Sequence, residues 1–294
     1  MALFASMIRE LREKTGAGMM DCKIALKENK NDILASIDWL RKKGIAKAEK
    51  KSGRLAAEGL VAVMRSGSKG AIIEVNSETD FVARNKEFQE LVLAIAKTAI
   101  KTDGTLESIK GARLEPHGKS ITNIVKESIS TIGENISLRR AAVMNVSQGL
   151  IALYVHNSIG DGLGKIGVLV ALESSGDVTV LNTIGHQIAM HVAAATPIAA
   201  TKDDINHHLV EREKEIFSAS ARESGKPENI IEKMVQGRIQ KFYEENVLLS
   251  QTFVIDRTQT VEQALRNAEK NAGSTIRLKG FVRFELGEGI KRED

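Results

Sequence analysis

The sequence predicts a mixed fold of helices and strands in two or three domains, and three observations predict it. The first 44 residues carry only helical periodicity. Strand-like runs appear from residue 59 and again from residue 141, each followed by a helical stripe. Between about 201 and 246 the chain becomes dense in charge at helical spacing. A length of 294 residues suits that division, at about 100–200 residues per domain.

In the first stretch Met7, Ile8 and Leu11 form a short apolar stripe before the turn Thr15-Gly16-Ala17-Gly18. A second stripe follows at Met19, Met20, Ile24 and Leu26. Asn31 or Asp32 caps a third helix carrying Ile33, Leu34, Ile37, Trp39 and Leu40, and Gly44 stands where a helix-ending glycine belongs. Three short helices make a small bundle with a thin core. Residues 45–57 then crowd Lys47, Lys50, Lys51 and Arg54 into little apolar weight. That segment reads as a solvated, partly helical linker, or as a patch facing acidic or phosphate groups.

LVAVMRS and GAIIEV flank Gly67-Ser68-Lys69-Gly70 and read as a hairpin. From Asn85 a helix is marked by Phe88, Leu91, Val92, Ile95 and Ala99; another runs from about Ser120 to Ile132, with Gly133 as its stop. The order recurs. AAVMNV and LIALYV are strand-like, KIGVLVAL is a third strand, and a helix from about Val178 ends before Pro197. The pattern at about 59–101 and 141–196 reads as an internal duplication. Within 201–246, Leu209, Ile216 and Phe217 mark one helical face and Ile230, Met234, Ile239 and Phe242 another, separated by Gly225-Lys226-Pro227. This predicts an antiparallel helical hairpin protruding as a coiled-coil arm. The tail returns through FVID, a short helix from Thr260 and the strand IRLKGFVRFEL.

Composition excludes several functions. Forty-two Lys plus Arg against 38 Asp plus Glu leaves +4, short of the single-sign stripe of a dedicated nucleic-acid binder. Aromatic residues, at 4%, are too few for stacking platforms. One cysteine, Cys22, excludes an internal disulfide and any multi-cysteine metal site, and fits a reduced cytoplasmic setting. No apolar run approaches the roughly 20 residues of a membrane span, and charge from Arg9 onward precludes a signal core.

Tempting sites fail on spacing. Gly160-Asp161-Gly162-Leu163-Gly164-Lys165 has Ile159 and Ile166 where a phosphate loop needs Gly and Ser or Thr, and reads as a hairpin turn. His186 and His191 are five apart and do not share a helix face as zinc ligands would. Cys22, between Asp21 and Lys23, has no adjacent base. No enzyme constellation or cofactor site emerges.

The segment EVNSETDFVA at 74–83 joins a strand to a helix. Ser77 and Asp80 fit a capping box, and Phe81 reads equally as a core residue. Here resemblance adds what spacing cannot. MIRELREKTGAGMMDCKIAL, EVNSETDFVARNKEF, GENISLRRAAV, IAMHVAAATP, EKMVQGR and GFVRFELGEGI, in this order over nearly the whole chain, resemble bacterial elongation factor Ts. The resemblance implies an α+β fold: a three-helix module like ubiquitin-associated domains with a basic linker (1–55), and a core subdomain N (56–140). It also implies a core subdomain C (141–200 and 247–294) with an inserted helical hairpin (201–246).

It further implies a guanine-nucleotide exchange factor for the GTPase elongation factor Tu, with no active site of its own. Asp80-Phe81 would be the wedge: Phe81 inserts between two helices of the partner's GTP-binding domain and disturbs its magnesium site. Asp80 bonds exposed partner groups, and Val82 and Ala83 complete the block. Further contacts carried over are Met19, Met20, Cys22 and Lys23 on the exposed helix face of the module, and Ile132-Gly133-Glu134, the helix-ending loop near the phosphate side. His156 and Met234-Val235 complete the set. For either Met of the module its own core is the competing reading, and for Met234 the seam of the arm. No membrane and no specific nucleic acid is expected; a homodimer within a two-plus-two complex stays open. Some family members continue past GEGI into another helical module, whose contacts are not expected of this sequence. The alternative classes are a scaffold using 45–57 on nucleic acid or ribosome, and an enzyme with Cys22 as nucleophile.

Overall fold

Strand alternation decides the architecture. The computed structural model describes residues 2–116, 118–223 and 227–291, so the expected break at Gly225-Lys226 lies outside the described residues. Three helices come first: α1 (Ala2–Thr15), α2 (Met19–Glu28) and α3 (Ile33–Lys51). Asp32 caps α3 by accepting from the Ala35 amide at 2.9 Å. Leu11, Cys22, Ala25, Leu26 and Leu40 form their shared core. The hairpin β1 (Glu58–Ser66) and β2 (Lys69–Ser77) follows, turning at Gly67-Ser68 with Gly67 at φ 58°. A single turn, α4 (Asp80–Ala83), precedes α5 (Lys86–Ala99), α6 (Leu106–Gly111), the short pair β3 (Arg113–Leu114) and β4 (Lys119–Ser120), α7 (Ile121–Ile132) and β5 (Ser137–Asn145).

The second half contains β6 (Gly149–His156), β7 (Leu163–Gly164), β8 (Ile166–Glu173) and α8 (Val178–Ala195). Two long helices, α9 (His207–Arg222) and α10 (Glu228–Asn246), leave and return before α11 (Val261–Ala272) and β9 (Arg277–Glu285). The sheets run β5-β2-β1-β7 and β6-β8-β9, antiparallel throughout. Side chains alternate between two faces, as strand geometry requires. Leu60, Ala62, Ile73 and Val75 join α5 and α7 in one outer core; Ala152, Val168, Val170 and Leu172 join α8 and α11 in the other. Val61, Val63, Ile72, Ile151, Leu169 and Ala171 meet between the sheets. The result is four layers, helices on sheet on sheet on helices.

The duplication is displaced from its expected place. AAVMNV and LIALYV do not pair with each other; β5 pairs with β2, and β6 with β8. Ser147-Gln148 carries the chain from one sheet across to the other. The repeat is therefore β1-β2 closed by β5, and β6-β8 closed by β9. Gly59 (φ 124°) and Gly149 (φ 132°) open the two units, where a Cβ would stand 2.2 Å from Val75 O and 2.1 Å from Leu172 O. Both closing strands join through a register shift, at Glu74/Val75 and Ala171/Leu172.

Three further expectations change. Helix α3 does not end at Gly44 but runs to Lys51, because it packs on α7; a Cβ on Gly44 would lie 2.9 Å from Ser130 Oγ. The basic segment is helical as far as Lys51 and exposed over much of its length, but it is tied to its neighbours rather than free: Ala48 is buried, Lys47 bonds Asp21 at 2.8 Å, Lys51 donates to Gly133 O, and Arg54 pairs with Glu78 at 3.5 Å. In the arm the seam is Val210, Phe217, Val235, Ile239 and Phe242, while Ile216, Ile230 and Met234 face outward. Phe217, Ile239 and Phe242 stand where the pattern puts them; elsewhere apolar residues neighbour one another in sequence, and Val210 and Val235 take the seam in place of Leu209 and Met234.

Candidate partner-binding site

Phe81 is 75% exposed although it is a large aromatic side chain. It stands on the single turn α4, between the end of β2 and α5. Val82 is 6% exposed and sits in the outer core with Leu60 and Phe88, while Ala83 packs half-buried beside it. Val82 therefore roots the turn in the core with Ala83 packed beside it, and within the expected block Asp80–Ala83 the outward-facing side chains are Asp80 and Phe81, as successive residues of one helical turn point in different directions.

The capping box from Ser77 to Asp80 is not formed. The N-cap of α4 is Thr79, without a side-chain cap, and Ser77 Oγ donates instead to Thr79 O at 3.0 Å. Asp80 accepts from Arg84 at 3.3 Å, one turn on, in a pair exposed on both sides. Such a pair is weak and can be exchanged for another cation.

Thr79 is gripped from outside its own hairpin. Glu134 accepts from the Thr79 amide at 2.9 Å and from its hydroxyl at 2.6 Å. In return Glu78 accepts from the Asn135 amide at 2.6 Å. Gly133 ends α7 at φ 90°, and its exposed turn lies next to this contact; Ile132 packs half-buried against the core. The expected Ile132-Gly133 site thus borders the Asp80-Phe81 site. Glu134 is expected from the sequence only as the end of that helix-ending loop; its grip on Thr79 is not, since only the fold brings the two together.

On the module, Met19 is 60% and Met20 65% exposed, and Lys23 is exposed beside them. Two methionines on one face suit an adaptable contact. Cys22 does not belong with them, which corrects its placement on that face. It is fully buried in the module core with Sγ 3.6 Å from Ala17 O, and burial pushes its thiol pKa up. Neither a partner contact nor a nucleophile fits that environment.

His156 ends β6 exposed, with Nδ1 3.1 Å from Tyr154 Oη. Met234 faces outward from the arm, while Val235 packs half-buried in its seam. Gly160–Gly164 connects β6 to β7 and β8, and Gly162 O accepts from the Val63 amide at 2.9 Å. No helix follows it, so it lacks the setting of a phosphate loop. Among the described residues no helix is long and apolar enough to cross a membrane, and no group of three His, Cys, Asp or Glu could hold a metal.

Residues 78–288 match the sequence profile of the family described as elongation factor TS. Over all 294 residues the chain is 57% identical to the elongation factor Ts of Brucella anthropi, covering 96% of that relative. The same identity and coverage hold for the elongation factors Ts of Brucella ovis and Brucella abortus.

Proposed function

The chain belongs to the elongation factor Ts family of translation elongation factors, and from that premise we propose that it is the guanine-nucleotide exchange factor of a GTPase, elongation factor Tu. It binds the GTPase carrying GDP, displaces the magnesium ion that screens the diphosphate, and lets GDP leave so that GTP can reload. The observation that carries the reading is Phe81, an exposed aromatic side chain on a turn rooted by a buried neighbour. An aromatic group held out of its own core is the form an anchor for a partner's pocket takes.

The chemistry is linkage rather than catalysis by this chain. A factor that binds the nucleotide-free GTPase most tightly weakens nucleotide, and nucleotide weakens the factor by the same free energy. Each 1.4 kcal/mol removed from bound nucleotide can speed release about tenfold. Phe81 inserts between two helices of the GTP-binding domain, and Asp80 exchanges Arg84 for partner groups. Gly133 and Ile132 meet the phosphate side. Met19, Met20 and Lys23 add affinity from the module, and His156 and Met234 add further contacts. The proposed setting is the cytoplasm, and a two-plus-two complex with a homodimer of this chain is the assembly to look for.

The experiment mixes the protein with elongation factor Tu loaded with fluorescent GDP and times release. Wild-type protein should accelerate release, and Phe81→Ala at saturating concentration should slow it by tens-fold or more. Undiminished release by a folded Phe81→Ala protein would sink the wedge.

A further inference from the structure

We infer that Glu134 is the positioning residue that aims Phe81, an inference that rests on the exchange-factor reading above. Helix α4 has four residues and its N-cap has no side-chain cap, so the turn cannot set its own direction. Direction comes from two supports. Val82 fixes the turn from below, inside the core. Glu134 fixes it from behind, through two hydrogen bonds to Thr79, the residue before Asp80.

Those bonds use both oxygens of a carboxylate on neutral groups of one residue. Bonds to an ionised acceptor are stronger than neutral ones and hold a tighter geometry. The grip is reciprocal, since Glu78 accepts from the Asn135 amide. It is also anchored. Asn135 is buried and donates to Arg54 O at 2.7 Å and Ser52 O at 3.4 Å, and Lys51 donates to Gly133 O. The cross-brace therefore ties the wedge to the end of α3, and through it to the three-helix module.

Aiming matters where the wedge acts. A side chain displaced by about 1 Å from the productive geometry can cost a hundredfold in rate without touching the remote contacts that bring the proteins together. Glu134 acts through Phe81, so its effect must vanish where Phe81 is absent. A residue that merely stabilises the fold, or that touches the partner itself, would slow release independently.

The test measures fluorescent GDP release from elongation factor Tu over a range of factor concentrations. It uses wild type, Phe81→Ala, Glu134→Ala, Glu134→Gln and the double variant Phe81→Ala/Glu134→Ala, with a melting curve for each. Glu134→Ala should slow release at saturation by about tenfold while changing the half-saturating concentration by less than about threefold. Glu134→Gln should stay within about twofold of wild type, because its carbonyl accepts from the Thr79 amide and its NH2 donates to the Thr79 hydroxyl. In the Phe81→Ala background, Glu134→Ala should add less than about twofold.

Undiminished release by Glu134→Ala would overturn the inference. So would a Gln variant as slow as the Ala variant, which would put the carboxylate against a cation of the partner, or a full additional loss in the double variant. The other arms read the premises separately: no acceleration by wild type would sink the exchange-factor reading, and undiminished release by Phe81→Ala would sink the wedge, and this inference with it. Should Glu134→Ala not fold, Thr79→Val removes one of the two bonds isosterically. It should slow release about threefold, again only when Phe81 is present, and no slowing would overturn the inference.

Discussion

Phe81 and Val82 are neighbours in sequence on opposite sides of the surface, 75% and 6% exposed. Truncating the two should therefore separate binding from folding. Phe81→Ala should leave the melting temperature nearly unchanged, whereas a core Phe would cost roughly 3–5 kcal/mol. Val82→Ala should cost about 1–3 kcal/mol, the range for removing buried aliphatic surface. A Phe81→Ala protein as destabilised as a core variant would return Phe81 to the core.

His191 makes a second prediction, about pH. It is fully buried on α8, and its Nε2 lies 2.8 Å from Gln251 Oε1. Gln251 Nε2 donates to Glu245 O at 2.7 Å, so its Oε1 is the acceptor and His191 Nε2 carries the proton. Nδ1 then accepts from the Val254 amide at 3.2 Å and has no room for a second proton. Burial pushes the His191 pKa below the ordinary 6.5, partly opposed by the Gln251 bond. Below about 6.5 the unfolded chain takes up a proton that the native chain refuses, so stability is complete above that pH and falls as pH drops through the native pKa. Denaturant melts between pH 7 and 5 should show this slope. His191→Gln should flatten it, and an unchanged slope would place the titration elsewhere.

Much of this was legible in the sequence because period-two alternation and helix caps are local. Asn85 and Ser120 cap α5 and α7, and Gly133 ends α7, where the pattern put them. What was not legible depends on distance along the chain. β5 chooses β2 over the adjacent β6, and Glu134 meets Thr79, through contacts that no local window contains. Cys22 and Gly44 misled for a related reason: on a thin module, which side is core and where a helix stops depend on what packs against it. Exposure of Phe81 could not be read at all, since spacing serves a core residue and a wedge alike.

Glu74 supports a third prediction. The register shift at Glu74/Val75 lets both Arg139 and Arg140 reach this fully buried carboxylate, at 3.0 and 2.5 Å. The Gly287 amide donates to it at 2.9 Å, and Arg140 also bonds Glu288 at 3.1 Å, so the node closes the tail over the sheet. Burial pushes the Glu74 pKa up, but the Gly287 amide, Arg140 and Asn76 outweigh it and hold the carboxyl below its ordinary 4.5. The stability this contributes is present above about 4.5 and lost as pH falls through the native pKa, a lower window than that of His191. Glu74→Ala should cost about 3 kcal/mol, at the low end for breaking a buried pair because the arginines keep some solvent. Loss of less than about 1 kcal/mol, or an unaltered acid limb, would show that the node is not under tension with folding.

Excising the arm should leave the proposed exchange site intact, and the base of the arm gives the reason. The two strands of chain that enter and leave it lie side by side: Ala199 and Val247 form a parallel bridge, the Ile198 amide donates to Asn246 O at 2.9 Å, and the Leu248 amide donates to Ala199 O at 2.9 Å. Closing that gap needs only a short glycine linker, whose entropy rises slowly with length. The arm's seam of Val210, Phe217, Ile239 and Phe242 is its own cluster, distinct from the α8–α11 core. The excision should run from Asp203 to Glu244, sparing Glu245 because its carbonyl orients Gln251 and, through it, His191. The shortened protein should melt cooperatively near the wild-type temperature, since no outer-core side chain is removed. It should keep exchange activity that still depends on Phe81, at some loss of affinity from the missing Met234 face. A core that no longer folds would make the arm integral to it. A folded core without Phe81-dependent release would move the exchange step onto the arm and away from the wedge.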